Sequence, residues 1–335
     1  MKTLKKIISA AAALGMALTM TSALTGCKND DVNSGNDEML NIGVIQFAAH
    51  PSLDNCYSGI EQGLMASEYA DRIKIDLQNG NGDTAACDSI AGSMVSKNYD
   101  MIFAIATPAA LSAYSAAQNS DIPVIFCAVS DPIEAGLTES FDAGIKNCVG
   151  TSDILELDKQ VELIQTLQPD VKSIGVLYTT TEANSLSHLA SLKEICAPLG
   201  IDVVEQGVSG AADIPQAATS LASKVDCINN FTDNNVVNNL STLIEKADAA
   251  GIPVYGSEIE QVKNGCLASV SIDYVALGAK TAEMGVEVLG GAKCEEMAVG
   301  KISEGTPVVN TEVMEKFSIT LPDSLADAEQ VETNK

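Results

Sequence analysis

The 335-residue sequence contains no tryptophan and a single arginine, Arg72. A guanidinium fork is the usual bidentate partner of a carboxylate or phosphate, so the sequence argues against a ligand anion held in that way. An anionic ligand group would have to rely on helix N-termini, hydroxyl groups or lysine. The absence of tryptophan also lowers the case for a sugar receptor, which would need aromatic platforms.

Catalytic signatures are missing as well. The sequence has two histidines, His50 and His188, and neither accompanies a recognisable nucleophile motif. No Gly-x-Ser-x-Gly, Walker A or Gly-x-Gly-x-x-Gly pattern occurs. We therefore predict no enzyme activity, no cofactor and no metal site, and a surface α/β hydrolase remains a rival without an identifiable nucleophile.

The charge of the chain is strongly one-sided, with 45 acidic and 19 basic residues and a net charge of −26. Such an acidic surface repels nucleic acid and anionic lipid headgroups, so neither is expected as a partner.

The N-terminus reads as an export signal. Lys2, Lys5 and Lys6 precede an almost uncharged run at residues 7–24, which is typical of a secretory leader. A transmembrane anchor is the alternative, because the run is nearly long enough to span a bilayer. Leu24-Thr25-Gly26-Cys27 resembles the bacterial lipobox and decides for a lipoprotein, exported and lipid-anchored to the outer face of the cell membrane. We predict a signal peptide at residues 1–26, with lipidated Cys27 opening a flexible tether at 27–40.

Eight cysteines follow Cys27, without Cys-x-x-Cys or zinc-like spacing. Several lie inside apolar strand-like runs, where a free thiol behaves as a small hydrophobic group. We favour buried thiols over a disulfide framework, although export makes disulfides possible.

An internal duplication organises the rest of the chain. The apolar run 174–178 ends in polar residues 179–185, and a helical periodicity follows, which predicts a strand, a loop and a helix. Residues 41–64 repeat this order, and three further strand-and-turn elements correspond between the two halves in the same sequence. We predict an α/β fold with two similar Rossmann-like lobes and parallel sheets.

We place the first lobe at residues 41–152 plus 274–306 and the second at residues 153–273 plus 307–322. The tail at residues 323–335 is acidic and polar, and we expect it to be poorly ordered.

Polar residues that could also cap helices follow the predicted strands. Each alone reads as an ordinary N-cap, but two facing lobes would bring these strand ends to one cleft. Carboxylates there would suit an ammonium group, while hydroxyls and helix N-termini would suit a carboxylate, so the set favours a zwitterion. The predicted ligand-binding residues are Thr107, Asp131, Asp153, Glu182, Asn184, Ser185, Asp233, Asn234 and Glu258.

Other residues near the predicted cleft have open roles. If Asp233 pairs with a ligand ammonium group, its replacement by Ala should weaken binding by about 1.5–3 kcal/mol. His50 is either a cleft residue or a local cap, and His188 is expected on a helix surface. Four aromatic residues at strand ends either form an apolar wall of the cleft or belong to the core: Phe47, Phe126, Tyr178 and Phe231.

A set of motifs occurs in order along residues 41–321: Ala49-His50-Pro51-Ser52-Leu53-Asp54, Ala106-Thr107-Pro108-Ala109-Ala110, Val129-Ser130-Asp131-Pro132, Gly150-Thr151-Ser152-Asp153, Glu182-Ala183-Asn184-Ser185 and Thr232-Asp233-Asn234. Together they resemble the ABC-transporter substrate-binding proteins of the tryptophan/tyrosine-type group, which have the type I periplasmic-binding-protein fold. The resemblance implies two lobes joined by three crossovers and a ligand cleft that closes on binding. It also implies a separate permease and ATPase, and an aromatic amino acid as ligand.

The sequence departs from that family at three places. Ala49 stands where the family usually has Glu, residues 178–182 differ from its Tyr-Asn-Ser-Ser-Glu run, and Asn235 replaces Thr. The first two lie beside the expected cleft, so another amino acid or a small amide-containing ligand stays open. The resulting hypothesis is a receptor that delivers a small zwitterion to a transporter. The alternatives are an extracellular sensor coupled to a signalling partner and a receptor for another small solute, such as a sugar.

Overall fold

The structure is a computed structural model that describes residues 38–302 and 305–334. The predicted leader, Cys27 and most of the predicted tether lie outside these ranges. Within the described ranges, no helix combines the length and apolar character needed to cross a membrane.

The first lobe is an α/β unit. Its elements in chain order are β1 (Leu40–Gln46), α1 (Pro51–Met65), β2 (Ile73–Asn79), α2 (Thr84–Ser96), β3 (Met101–Ile105), α3 (Thr107–Ala117), β4 (Val124–Cys127) and β5 (Cys148–Gly150). The strands form one parallel sheet in the order β2-β1-β3-β4-β5. Every residue of β3 is buried, because helices cover both faces of a parallel sheet.

The second lobe repeats this plan. Its elements are α4 (Leu157–Leu167), β6 (Ser173–Thr179), α5 (Ala183–Cys196), β7 (Asp202–Val208), α6 (Ile214–Ala222), β8 (Cys227–Asn229), α7 (Asn234–Asn238), α8 (Leu240–Ala250), β9 (Val254–Tyr255) and α9 (Ile259–Lys263). The sheet order β7-β6-β8-β9 matches β2-β1-β3-β4 of the first lobe, and all pairs are parallel. The prediction of two α/β lobes with parallel sheets is confirmed.

The remaining elements complete the two lobes. They are β10 (Ala268–Ser271), α10 (Tyr274–Leu289), β11 (Thr306–Asn310), α11 (Thr311–Lys316) and β12 (Glu329–Val331). Buried apolar residues at 42–149 and 274–299 form one core, whereas those at 157–268 and 308–328 form the cores of the other lobe. The chain therefore passes between the lobes three times, near residues 151–156, 272–273 and 300–307. The precise lobe limits stay a prediction.

Helices α1 and α10 cross at very short range. A Cβ atom on Gly59 would lie 2.1 Å from the carbonyl oxygen of Val275, and one on Gly278 would lie 2.1 Å from that of Cys56. Only glycine permits this approach at either position, because the obstructing atoms are backbone. The crossing fixes the start of α10, with Tyr274, beside the start of α1.

The C-terminal tail differs from its expected disorder. Strand β12 pairs in parallel with β11, and the backbone N–H of Asn334 donates to the carbonyl of Lys263. The physical reason is a free edge on β11, together with Ala328 and Val331, which pack against the second lobe. Composition alone did not reveal this pairing partner.

All eight cysteines after Cys27 are buried free thiols, in agreement with the interpretation favoured from the sequence. No group of acidic, histidine and cysteine residues in the described ranges could hold a metal ion.

Candidate ligand-binding site

A cavity lies between the lobes, where the carboxyl ends of both sheets face each other. The first lobe and the crossovers contribute His50, Ser52, Leu53, Ala106, Thr107, Ala128, Ser130, Asp153 and Tyr274. The second lobe contributes Asn184, Thr232, Asn234, Val237 and Gln261.

Two helices of the first lobe begin at this cavity. His50 precedes α1 and Ala106 precedes α3, and neither helix start is capped by its own side chain. The first N–H groups of a helix have no intrahelical partner and carry the positive end of its dipole. These helix starts can therefore receive an anionic group such as a carboxylate.

The backbone is strained at two strand ends that line the cavity. Ala106 has φ +79° and Ala128 has φ +55°, values that non-glycine residues rarely adopt. Ala106 follows β3 and Ala128 follows β4, so both turns sit where the sheet meets the cavity. Such strain is typical of functional sites.

Asp153 is the carboxylate that the described chain brings to the cavity wall. The residue is 3% exposed; Ser130 Oγ donates to its Oδ1 over 3.0 Å, and the Tyr274 hydroxyl donates to its Oδ2 over 2.8 Å. Burial raises the pKa of Asp153, while both hydrogen bonds act in the opposite direction. None of the lining residues is a lysine or arginine, so Asp153 can accept a cationic group of a ligand.

Four buried polar atoms on the cavity wall have no hydrogen-bond partner among the described residues. They are His50 Nδ1, Thr107 Oγ1, Asn184 Oδ1 and Thr232 Oγ1. Buried polar groups left unpaired cost about 1–3 kcal/mol each. Their gathering at one cavity makes that cavity suited to a polar ligand.

Of the nine predicted site residues, four line the cavity: Thr107, Asp153, Asn184 and Asn234. The other five do not line it.

Asp233 serves the fold. Its carboxylate accepts hydrogen bonds from the Thr179 backbone N–H (2.6 Å), the Thr179 hydroxyl (2.8 Å), the Ser185 hydroxyl (2.7 Å) and the Val236 N–H (3.0 Å). These contacts occupy both oxygens, and the residue is fully buried. The expected pairing of Asp233 with a ligand ammonium group has no support in this geometry, and Ser185 is likewise engaged by Asp233.

Glu182 lies behind the cavity wall. It accepts hydrogen bonds from Asn184 Nδ2, from the backbone N–H and Nδ2 of Asn234, and from the N–H of Asn235. Burial and the neighbouring Asp233 carboxylate raise the pKa of Glu182 to about 7, against these hydrogen bonds.

Glu258 and Asp131 also have other partners. Glu258 caps α9 by accepting from the N–H groups of Glu260 and Gln261. Asp131 accepts from the hydroxyl of Ser187 over 2.8 Å, a contact between the lobes outside the cavity.

Both histidines have definite places. His50 is a cleft residue: its Nε2 lies 3.3 Å from Asn234 Oδ1 of the opposite lobe. The prediction for His188 was wrong, because the ring is buried and packs against Phe231 with centroids 5.3 Å apart. Phe47, Phe126 and Phe231 belong to the cores and Tyr178 packs against one of them, so none of the four forms a cavity wall.

Some residues that line the cavity were not predicted from the sequence. Ser52 and Thr232 belong to the quoted motifs but were not among the predicted ligand-binding residues, although their places near strand ends could have suggested them. Tyr274, Gln261 and Val237 carry no comparable signal, because long-range packing brings their helices to the cleft. Tyr274 is the aromatic residue of the cavity wall.

The model of the ABC transporter substrate-binding protein family matches residues 41–332. The chain belongs to this family. A tyrosine-binding protein of Clostridioides difficile (strain R20291) is 39% identical over 325 residues, which cover 94% of this chain and 93% of that protein.

Solved structures of similar substrate-binding proteins agree. An ABC domain from Streptococcus pneumoniae in complex with L-Trp is 38% identical with a TM-score of 0.84, over 88% of this chain and 100% of that one. The ligand-free, open structure of a substrate-binding protein with adhesive properties from Clostridium difficile is 34% identical and covers the same shares, 88% and 100%, with a TM-score of 0.68.

The lobes of this substrate-binding protein are in a closed arrangement. At comparable sequence identity, the fold matches the L-Trp complex better than the open structure. The hydrogen bonds from His50 to Asn234 and from Ser187 to Asp131 cross the cleft and require the lobes to be close.

Proposed function

We propose that this substrate-binding protein captures a zwitterionic amino acid between its lobes, with an aromatic side chain favoured, and delivers it to an ABC permease. The observation that carries the proposal is the pairing of opposite electrostatic features across one cavity. Asp153 stands on the wall as an acceptor for an ammonium group, and the starts of α1 and α3 suit a carboxylate. An uncharged ligand would supply neither a cationic group for Asp153 nor an anionic group for the helix starts.

The lining of the cavity supports a small amphiphilic ligand such as a single amino acid. Its walls combine apolar side chains, including Leu53 and Val237, with the ring of Tyr274. The similarity to a tyrosine-binding protein and to a domain in complex with L-Trp supports an aromatic side chain. The sequence departures at Ala49 and at residues 178–182 keep other amino acids in the test.

We further propose that the mature protein starts at Cys27 and is lipid-anchored on the outer face of the cell membrane. The support is the lipobox-like sequence Leu24-Thr25-Gly26-Cys27 after an apolar leader. Two or more acyl chains hold a protein on a membrane stably. Replacing Cys27 with Ser should move the full-length protein from the membrane fraction to the medium and abolish labelling by a fatty-acid probe.

A thermal-shift screen tests the ligand assignment. The soluble chain from Lys28 onward is heated with each amino acid and with a panel of sugars. An amino acid at 100 times its dissociation constant should stabilise the fold by about 2.7 kcal/mol. A shift with sugars but with no amino acid would overturn the proposal.

A further inference from the structure

Two asparagines of the cavity wall turn their amide groups toward the same buried carboxylate. Nδ2 of Asn184 donates to Oε2 of Glu182 over 3.2 Å, and Nδ2 of Asn234 donates to the same oxygen over 2.7 Å. Oε2 also accepts from the backbone N–H of Asn234 over 3.1 Å, and because a backbone N–H can only donate, this oxygen is an acceptor. Glu182, which is 4% exposed, therefore selects the NH2 end of both amides.

For Asn184, the consequence is direct. Its Nδ2 also donates to the carbonyl oxygen of Thr232 over 3.2 Å, so both amide hydrogens are used. Its Oδ1 is left as a buried acceptor without a partner in the described chain. Asn184 can therefore offer the cavity only an acceptor.

The orientation of the Asn234 amide determines which ring nitrogen of His50 carries the hydrogen. Because Nδ2 is held by Glu182, Oδ1 is the atom that meets Nε2 of His50 across the cleft, at 3.3 Å. A carbonyl oxygen accepts, so Nε2 of His50 must carry the hydrogen. In a neutral imidazole the other nitrogen, Nδ1, is then a bare acceptor.

The neutral form of His50 is the one that its surroundings favour. The side chain is buried, and burial lowers its pKa, while the hydrogen bond to Asn234 and the charge of Asp54 act in the opposite direction. Nδ1 of His50 is buried and has no partner among the described residues.

We infer that Glu182, which does not line the cavity, sets the hydrogen-bonding polarity of the cavity, so that Asn184 Oδ1 and His50 Nδ1 accept hydrogen bonds from an N–H-bearing group of the ligand. Glu182 is thus a positioning residue, and Asn184 and His50 are ligand contacts. Together with Asp153 they make three acceptors, the number of N–H donors that an ammonium group carries. The identity of this group as an amino-acid ammonium rests on the proposed function.

Glu182 prevents the opposite orientation of the Asn184 and Asn234 amides. With both amides flipped, two carbonyl oxygens would face the carboxylate without a hydrogen bond between them, and NH2 groups would face the cavity. A glutamine at position 182 can donate as well as accept, so Glu182→Gln would remove this selection while keeping the side-chain shape.

The first test reads the histidine tautomer. The chain has two histidines, so long-range ¹H–¹⁵N spectra of imidazole-labelled protein show two rings, one of which disappears in His188→Leu. We expect His50 as the neutral Nε2–H tautomer, with an unprotonated Nδ1 whose ¹⁵N shift moves when L-tryptophan is added. A neutral Nδ1–H tautomer, or a charged ring at pH 7.5, would overturn the inference.

The second test measures how strongly the cavity prefers a ligand that carries an ammonium group. Affinities for L-tryptophan and indole-3-propionate, which lacks the ammonium group, are compared by calorimetry in wild type, Glu182→Gln and Glu194→Gln. Glu194 is an exposed residue of α5, the helix that begins directly after Glu182, and its variant also replaces a glutamate by glutamine. We expect the preference for L-tryptophan to fall at least about tenfold in Glu182→Gln and to stay unchanged in Glu194→Gln.

The outcomes separate the two proposals. If Glu182→Gln is folded by circular dichroism and keeps the full preference, the role of Glu182 is refuted although amino-acid binding stands. If wild type binds no amino acid, the proposed function fails, and the polarity assignment is then decided by the tautomer of His50 in wild type and in Glu182→Gln. Loss of the Nε2–H tautomer in that variant supports the assignment, and an unchanged tautomer refutes it.

Discussion

The hydroxyl of Ser187 donates a hydrogen bond to Oδ2 of Asp131 over 2.8 Å, and the two residues belong to different lobes. Ser187 lies in the first turns of α5, and Asp131 lies in the loop after β4. Both are half-buried, and the contact can exist only while the lobes are close together. It therefore stabilises the closed form without touching the ligand cavity, and ligand release must break it.

Replacing Ser187 with Ala should speed ligand release. A hydrogen bond to a charged group at a half-exposed site contributes about 0.5–1.5 kcal/mol, which corresponds to a dissociation rate about 2–10 times higher. Stopped-flow displacement measures this rate. Ser191→Ala, on the exposed part of the same helix, is the control and should behave as wild type. Equal rates in wild type and Ser187→Ala would refute the closure role.

Asp233→Ala should destabilise the fold. Four donors point at the Asp233 carboxylate, from Thr179, Ser185 and Val236, and each would lose a charged partner worth about 1.5–3 kcal/mol. We expect the free energy of unfolding in urea to fall by at least about 3 kcal/mol. Asp158→Ala, at an exposed position of α4, should change it little. A stable Asp233→Ala protein with weakened ligand affinity would instead restore the role expected from the sequence.

His188→Leu should protect the fold against acid. Burial lowers the pKa of His188 to about 4, below its ordinary value of 6.5. Protons therefore favour the unfolded chain, and this contribution to stability is lost as the pH falls from 6.5 toward 4. Between pH 7.5 and pH 5, the buried neutral His188 should lower the free energy of unfolding of the wild type by about 2 kcal/mol. Urea unfolding at both pH values checks this, and the same pH dependence in wild type and variant would contradict it.

Glu258→Gln should protect the fold against a rise in pH. Burial raises the pKa of Glu258 to about 7 from an ordinary value of 4.5. The protonated form is favoured by the fold, so its contribution is full below pH 4.5 and is lost as the pH rises through 7. Relative to wild type, the variant should gain up to about 3 kcal/mol between pH 4.5 and pH 8. Glu162→Gln, at an exposed site, is the control; a stability difference independent of pH would refute the prediction.

Much of the fold could be predicted from local patterns. The matched strands and polar loops predicted two lobes, because an apolar run that ends in capping residues can be recognised within a short stretch of sequence. The pairing of β12 with β11 and the approach of α10 to α1 were not visible, since each depends on surfaces brought together by the whole chain.

The site was predicted less completely for a related reason. The sequence placed Asp153, Asp233 and Glu182 alike, each beside a strand end and a helix start. Which carboxylate faces the ligand depends on how many donors of the fold it already accepts from and on where it lies relative to the cavity. Asp233 accepts four hydrogen bonds and does not line the cavity, whereas Asp153 accepts two and lines it. Composition and spacing do not encode that difference.

Calorimetric titration of L-tyrosine and L-tryptophan into wild type, Asp153→Asn and Asp158→Asn tests the central claim most directly. We expect at least one of the two amino acids to bind wild type and Asp158→Asn equally. In Asp153→Asn, loss of the charged partner of the ammonium group should weaken binding by about 1.5–3 kcal/mol, or roughly 10–150-fold. Binding of equal strength to Asp153→Asn, or no binding of either amino acid to wild type, would contradict the account.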